Sequence, residues 1–229
     1  MADWISFWNG DHPIYVNARH KAVHYARISA DIARLLPGPQ ARVLDYGCGD
    51  TLGAADLAAR CGHLVLADAA PAVRARLVAR LAGEAKVAVL SPEEVEALPD
   101  GSFDLIVCNS VSQYLSRETL AGLLQLWHRL LAPGGTLLVA DVIPPQVNAV
   151  VDARVLLALA VREGFLLGAV TGLVRTYFSS YRKLRHEVGL TTYEEPQMLA
   201  LLQAAGFQAR RTRPNVGYNQ QRLAFLAIR

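Results

Sequence analysis

The residues with the most chemical content sit in two short runs. In VLDYGCGD, residues 43–50, Gly47 and Gly49 allow a tight turn and a close backbone approach to a ligand, and Asp45 sets a carboxylate beside them. In HLVLAD, residues 63–68, Asp68 closes the next apolar run, at a distance that suits an acid accepting hydrogen bonds from the two hydroxyls of a ribose. Together they imply a nucleoside-containing cofactor. The spacing excludes two common kinds. A GxGxxG dinucleotide fingerprint needs glycine or alanine at position 52, where this chain has Leu52, and no GxxxxGK[ST] phosphate loop occurs. An acid just before the loop suits a positively charged ligand better than a pyrophosphate.

The elements that must position these residues follow from the apolar pattern. Short apolar runs at Arg42–Asp45, His63–Asp68, Lys86–Leu90, Phe103–Asn109 and Thr136–Val142 alternate with helical stretches at Leu52–Cys61, Pro71–Leu81 and Ser116–Leu131. Such alternation is the pattern of repeated βαβ units and a parallel, doubly wound sheet, whose ligands bind at the carboxyl ends of the strands. Pro71 suits a first helical turn, Ser116 a helix cap, and ProGlyGly at 133–135 a stop. Beyond Val142 the period changes. A long helical region, about 148–186, precedes a helix ending in AlaGlyPhe, and two strands, Phe207–Thr212 and Arg222–Ile228, fit a hairpin.

Composition sets the outer bounds. The chain has 229 residues, 52% hydrophobic and 19% charged, which suits one large core and excludes disorder. Three scattered cysteines, Cys48, Cys61 and Cys108, make neither a disulfide framework nor a zinc knuckle, so no metal is expected and a reducing cytoplasmic location is the simplest. The net charge is +3, but lysine occurs only at 21, 86 and 183, and no basic stripe interleaved with aromatics marks a nucleic-acid surface. MADWISFWNGDHP is acidic and aromatic where a secretory signal needs a basic end. Val155–Val174 is long enough to cross a bilayer, but Arg162 and Glu163 near its middle argue for a pair of apolar helices divided near Gly164.

VLDYGCGD, LADAAP, FDLIVCNSVSQYL and LWHRLLAPGGTLLVADV, in that order, resemble the class I S-adenosylmethionine-dependent methyltransferases over about residues 41–142, and the AlaGlyPhe helix and terminal hairpin extend the likeness. The resemblance implies a seven-stranded sheet in the order 3-2-1-4-5-7-6 with strand 7 antiparallel. It divides one domain, 1–229, into an N-terminal helical lid (1–40), a cofactor-binding core (41–142), a helical substrate insert (143–190) and a terminal helix with hairpin (191–229). It places the methionine end of S-adenosylmethionine at Asp45 and the backbone of Gly47, Cys48 and Gly49, the ribose on Asp68, and the adenine face on Ala69. The adenine amino group falls to Ser91, or to Glu93 or Glu94, because the third strand ends without an acid. Asn109, Ser110 and Val111 line the cofactor beneath the methyl group. Where relatives carry a third loop glycine this chain has Thr51, placed to cap the following helix.

Catalytic candidates are Gln113 and Tyr114, at positions often held by histidines in related small-molecule enzymes; Tyr114 either orients a substrate or packs under the next helix. Tyr15, Arg19, His20 and His24 of the lid face the carboxylate or the substrate mouth, or staple the lid to the core. In the insert, Tyr177 and Tyr181 lead into a basic cluster without an acid between Arg175 and Arg185. That pattern suits an apolar or amphipathic substrate with an anionic portion. The expected function is methyl transfer to a small metabolite by in-line displacement. The alternatives are a phospholipid or lipid methyltransferase, or a non-catalytic S-adenosylmethionine-binding regulator; a peripheral membrane contact and a homodimer through the apolar insert are the further partner expectations.

Overall fold

The computed structural model describes residues 2–10, 15–177 and 189–229. Its centre is a seven-stranded sheet: β1 (Arg42–Tyr46), β2 (His63–Ala67), β3 (Val87–Leu90), β4 (Phe103–Asn109), β5 (Leu131–Val142), β6 (Gln208–Thr212) and β7 (Leu223–Ile228). The order is β3-β2-β1-β4-β5-β7-β6, with only β7 antiparallel to its neighbours, the topology the resemblance implied.

Strand alternation builds two apolar layers. On one face Leu44, Ile106 and Val139 pack against α5 (Pro92–Glu96), α6 (Arg117–Leu130) and α9 (Glu195–Ala204), around Trp127, Tyr193 and Met198. On the other face Val43, Leu105 and Leu138 pack against α2 (Ala18–Ala33), α3 (Ala54–Ala58) and α4 (Pro71–Arg80). The strands that carry these residues are buried on both faces, which is why they read as unbroken apolar runs.

Helix boundaries follow local chemistry. Pro71 starts α4, and Ser116 caps α6 by accepting from the Thr119 amide at 3.1 Å. Thr51 does not cap α3. Gly53 holds that place without a side-chain hydrogen bond, because a Cβ there would lie 2.2 Å from Ser29 Oγ of α2. The sequence pattern missed α1 (Ala2–Asn9) and α5, both shorter than the roughly 11 residues over which a helical period can be read.

The insert is the expected pair: α7 (Ala149–Glu163) ends at Gly164 in the left-handed region, and α8 (Leu166–Tyr177) turns back. Leu156, Leu159, Phe165 and Ala169 form a third small core with Val16, so the insert rests on the N-terminal segment. Two glycines of α8 make that approach close, since a Cβ at Gly168 would meet Asn17 at 2.3 Å and one at Gly172 would meet Val16 at 2.4 Å. Among the described residues, no helix is long and apolar enough to cross a membrane.

Candidate functional site

Parallel pairing brings the polar residues to one edge. Asp45 lies opposite Leu66 of β2 and Val107 of β4, and Asn109 lies opposite Ala140 of β5, so Asp45, Asp68, Asn109 and Asp141 all stand at or just past the carboxyl ends of adjacent strands. The order reverses between β1 and β4, which opens the crevice such sheets use for ligands.

Two abutting cavities occupy it. The first, about 260 Å³, is lined by Asp45, Gly47, Cys48, Gly49, Asp68, Ala69 and Val111, and Trp4 and Ile5 of α1 close it. The second, about 310 Å³, lies between the N-terminal segment, the insert and the β6–β7 loop, with Gln113, Asp141, Asp152, Leu156, Leu173, Tyr218 and Arg222 in its wall. Trp8, Tyr15, His24, Ile28, Asn109, Ser110 and Tyr114 line both, so the cavities share a seam.

In the first cavity the loop after β1 is packed closely against Val111 and Tyr25. Gly47 has φ +73°, and a Cβ on it would lie 2.3 Å from Val111 Cγ2. The loop amides already have partners: Gly47 and Cys48 donate to Ala67 O at 2.7 and 3.2 Å, Gly49 to Asp68 Oδ2 at 3.0 Å, and Asp50 to the Tyr25 hydroxyl at 3.0 Å. Such a loop offers no nest for an anion. Lys21 and Arg76 pin it from outside through the Asp50 carboxylate.

Asp68 takes one backbone N–H on each oxygen, from Gly49 and from Ala70 at 2.8 Å, which leaves a second lone pair on each. Asp45 is buried with no ion-pair partner among the described residues, and burial with Asp68 nearby lifts its carboxyl to about 7. A buried acid with its charged form disfavoured lacks a cation. Two free lone pairs on Asp68 and an acid awaiting a cation fit a ligand with a vicinal diol and an ammonium group.

At the seam, Ser110 and Asp141 are both non-glycine residues in the left-handed region, φ +60° and +57°, and the Ser110 hydroxyl donates to Asp141 Oδ2 at 2.8 Å. Such strain persists where surrounding structure enforces it. Gln113 donates to Ser110 O at 2.9 Å, while its Oε1 and the Oδ1 of Asn109 are buried without partners among the described residues. Tyr114 packs under the α1 tryptophans, 4.5 Å from Trp4 and 5.8 Å from Trp8 between ring centroids. Tyr15 donates to Tyr25 at 2.9 Å, and burial raises the pKa of both. Burial lowers His20 to about 4 and His24 to about 3, so both are neutral at pH 7.

Several expected site residues lie elsewhere. Arg19 lines neither cavity; its Nε donates to Glu163 O and ties α2 to the end of α7. Ser91 is likewise outside, occupied in a capping box with Glu94 at the start of α5, and Glu93 lies in that helix's first turn. Tyr177 ends α8, its side chain undescribed, and Tyr181 with most of the basic cluster falls outside the described residues. Tyr25, Asp141, Asp152, Tyr218 and Arg222 were not singled out from sequence as ligand-facing residues. Asp141 had a signal, as an acid ending a strand of a doubly wound sheet; the others belong to no local motif.

The fold is an α/β doubly wound sheet with its ligand crevice at the switch point in strand order. The model of the methyltransferase domain family matches residues 44–139. A demethylmenaquinone methyltransferase of Thermus thermophilus is 32% identical over 198 residues, covering 82% of this chain and 83% of that protein. An S-adenosylmethionine-dependent methyltransferase from Aquifex aeolicus shares the fold with a TM-score of 0.57 at 16% identity, over 96% of this chain and 98% of that one. A Haemonchus contortus phosphoethanolamine N-methyltransferase, solved with phosphomonomethylethanolamine and S-adenosylhomocysteine, gives 0.58 at 17% identity, over 82% of this chain and 38% of that one. The chain belongs to the class I S-adenosylmethionine-dependent methyltransferases. It is an enzyme that uses S-adenosylmethionine and a small-molecule methyl acceptor.

Proposed function

We propose that S-adenosylmethionine occupies the smaller cavity and that a small, partly apolar metabolite occupies the larger one. The carrying observation is the shared seam: Asn109, Ser110, Tyr114 and His24 line both cavities, so ligands in the two would meet there.

When bound, the cofactor supplies an electrophilic methyl group on a sulfonium sulfur. The residues of this chain hold and align. Asp45 faces the ammonium, and that cation draws its carboxyl back to the ionised form. Asp68 accepts from the ribose hydroxyls through its two remaining lone pairs. Tyr25 accepts two hydrogen bonds, from Tyr15 and the Asp50 amide, so its own O–H remains to donate to the cofactor carboxylate, a task the occupied loop amides leave open. Ala69 and Val111 supply apolar surface in that cavity. The second cavity sets the acceptor against the seam, because in-line displacement needs alignment at about 3–3.5 Å more than it needs a dedicated base.

The test is titration calorimetry with S-adenosylhomocysteine, then a metabolite screen scored by S-adenosylhomocysteine formed from S-adenosylmethionine. Saturable binding of one molecule per chain is expected; no binding would sink the reading. A lipid-borne acceptor is a second reading, in keeping with the name of the Thermus relative. Its support is the outer face of α8, where Leu167 is 84% exposed and Val170 and Val174 are exposed beside it, near the exposed Arg162 and Arg175. Cosedimentation with anionic liposomes, reduced in Leu167→Asp, would favour it; a protein left wholly in the supernatant would count against it.

A further inference from the structure

We propose that the second cavity is an amine site, in which the Asp141 carboxylate receives the N–H groups of the methyl acceptor and the aromatic walls surround its positive pole. This rests on the reading that the second cavity holds the acceptor.

Three observations carry it. First, Asp141 stands at the carboxyl end of β5 in the wall of the cavity, and among the described residues it makes no ion pair. Its side chain takes the Ser110 hydroxyl, and its backbone amide donates to Asn215 Oδ1 at 3.0 Å. Burial raises its pKa, as befits a carboxylate waiting for a cation.

Second, the other charges of the cavity do not neutralise it. Arg222 pairs with Asp152 at 2.7 Å and its charge also acts on Asp141, lowering that acid's pKa against burial, so one guanidinium stands between two acids, while His20 and His24 are neutral. Asp141 and Asp152 against the single Arg222 leave the cavity lining with a net negative charge, with the acids of the cofactor cavity on the same side of the sheet edge. An anionic acceptor would meet repulsion here; a cationic or neutral N–H donor would not.

Third, the enclosure is aromatic. Tyr15, His20, His24 and Tyr218 form a ring-on-ring wall with centroid separations such as 5.5 Å for Tyr15–His24 and 5.8 Å for His24–Tyr218, and Trp8 and Tyr114 close the seam side. Faces of this kind stabilise a nearby cation and accommodate an apolar remainder. Asn109 Oδ1 and Gln113 Oε1, buried acceptors of residues that line the same cavity and without partners among the described residues, add two carbonyl oxygens that a ligand bearing several N–H groups could satisfy after small side-chain adjustment.

The experiment uses single-ring probes of one size, phenethylamine, 2-phenylethanol and phenylacetate, titrated by calorimetry into protein saturated with S-adenosylhomocysteine. Phenethylamine is expected to bind tightest, by about tenfold or more over the alcohol, as for a charge-assisted hydrogen bond against a neutral one. Phenylacetate is expected not to bind. Asp141→Asn is expected to erase the preference for the amine while S-adenosylhomocysteine still binds within about twofold, with thermal melting confirming the fold. The probe series in the wild type stands without the variant. Equal or tighter binding of the alcohol or the acid overturns the inference, and so does no binding by any of the three. Failure of S-adenosylhomocysteine itself to bind would instead strike the reading beneath it.

Discussion

The two cavities share a wall but are built in different ways. The cavity proposed for the cofactor draws most of its polar residues from two neighbouring turns, Asp45–Gly49 after β1 and Asp68–Ala69 after β2. The cavity proposed for the acceptor gathers residues from five separated segments: Tyr15 with His20, Gln113, Asp141, Leu156 with Leu173 of the insert, and Tyr218 with Arg222. A cofactor of fixed shape can be met by one local turn. An acceptor pocket is assembled by tertiary packing, so it can change while the cofactor turn stays.

Substitutions that damage one region and spare the other sharpen this contrast. The largest effect is expected from Gly47→Ala, where φ +73° and a Cβ only 2.3 Å from Val111 leave no room. Local strain and overpacking together cost roughly 2–4 kcal/mol, so S-adenosylhomocysteine binding should fall by about a hundredfold or more in calorimetry. Asp68→Ala removes two hydrogen bonds and should weaken cofactor affinity by about 1–3 kcal/mol; an unchanged Kd would reject the ribose assignment.

Gly172→Ala strikes the other region. Its Cβ would press on Val16 at 2.4 Å and displace α8 from the N-terminal segment, at a cost of about 1–3 kcal/mol. The KM for the acceptor should rise while the Kd for S-adenosylhomocysteine holds. Equal damage to both would merge the two regions into one.

A pH series probes Asp45. Its carboxyl, lifted to about 7 in the ligand-free fold, lies above the unfolded value, so the stability it contributes is complete below about pH 4 and is lost as pH rises through about 7. The ligand-free melting temperature should fall across that window, and Asp45→Asn should flatten the fall. Cofactor affinity should run the other way, rising with pH to about 7, because the ammonium selects the ionised acid. The smallest effect belongs to Leu167→Ser on the exposed face of α8, which should change stability by under about 0.5 kcal/mol.

The same division explains what could be read from the chain. The positions of the strands, the insert's break at Gly164, and Asp45, Gly47 and Asp68 at one edge were legible, because period, turn residues and strand-end acids are local signals; the strand order came only from the resemblance to the methyltransferases. The partner Ser91 takes in the ligand-free fold is Glu94 three residues on, through a capping box that a short Ser-Pro-Glu-Glu run signals only weakly. Nothing near Arg19 reveals its bond to the Glu163 carbonyl, 144 residues away in sequence. Arg222 and Tyr218 could be seen only once the hairpin loop was folded over the seam.

The most direct test of the two-region structure is calorimetric titration of S-adenosylhomocysteine into three proteins: wild type, Gly47→Ala and Gly172→Ala. One molecule per chain should bind the wild type and Gly172→Ala with the same affinity, and Gly47→Ala should show a loss of about a hundredfold or more. Equal losses in both variants, or no binding to the wild type, would contradict it.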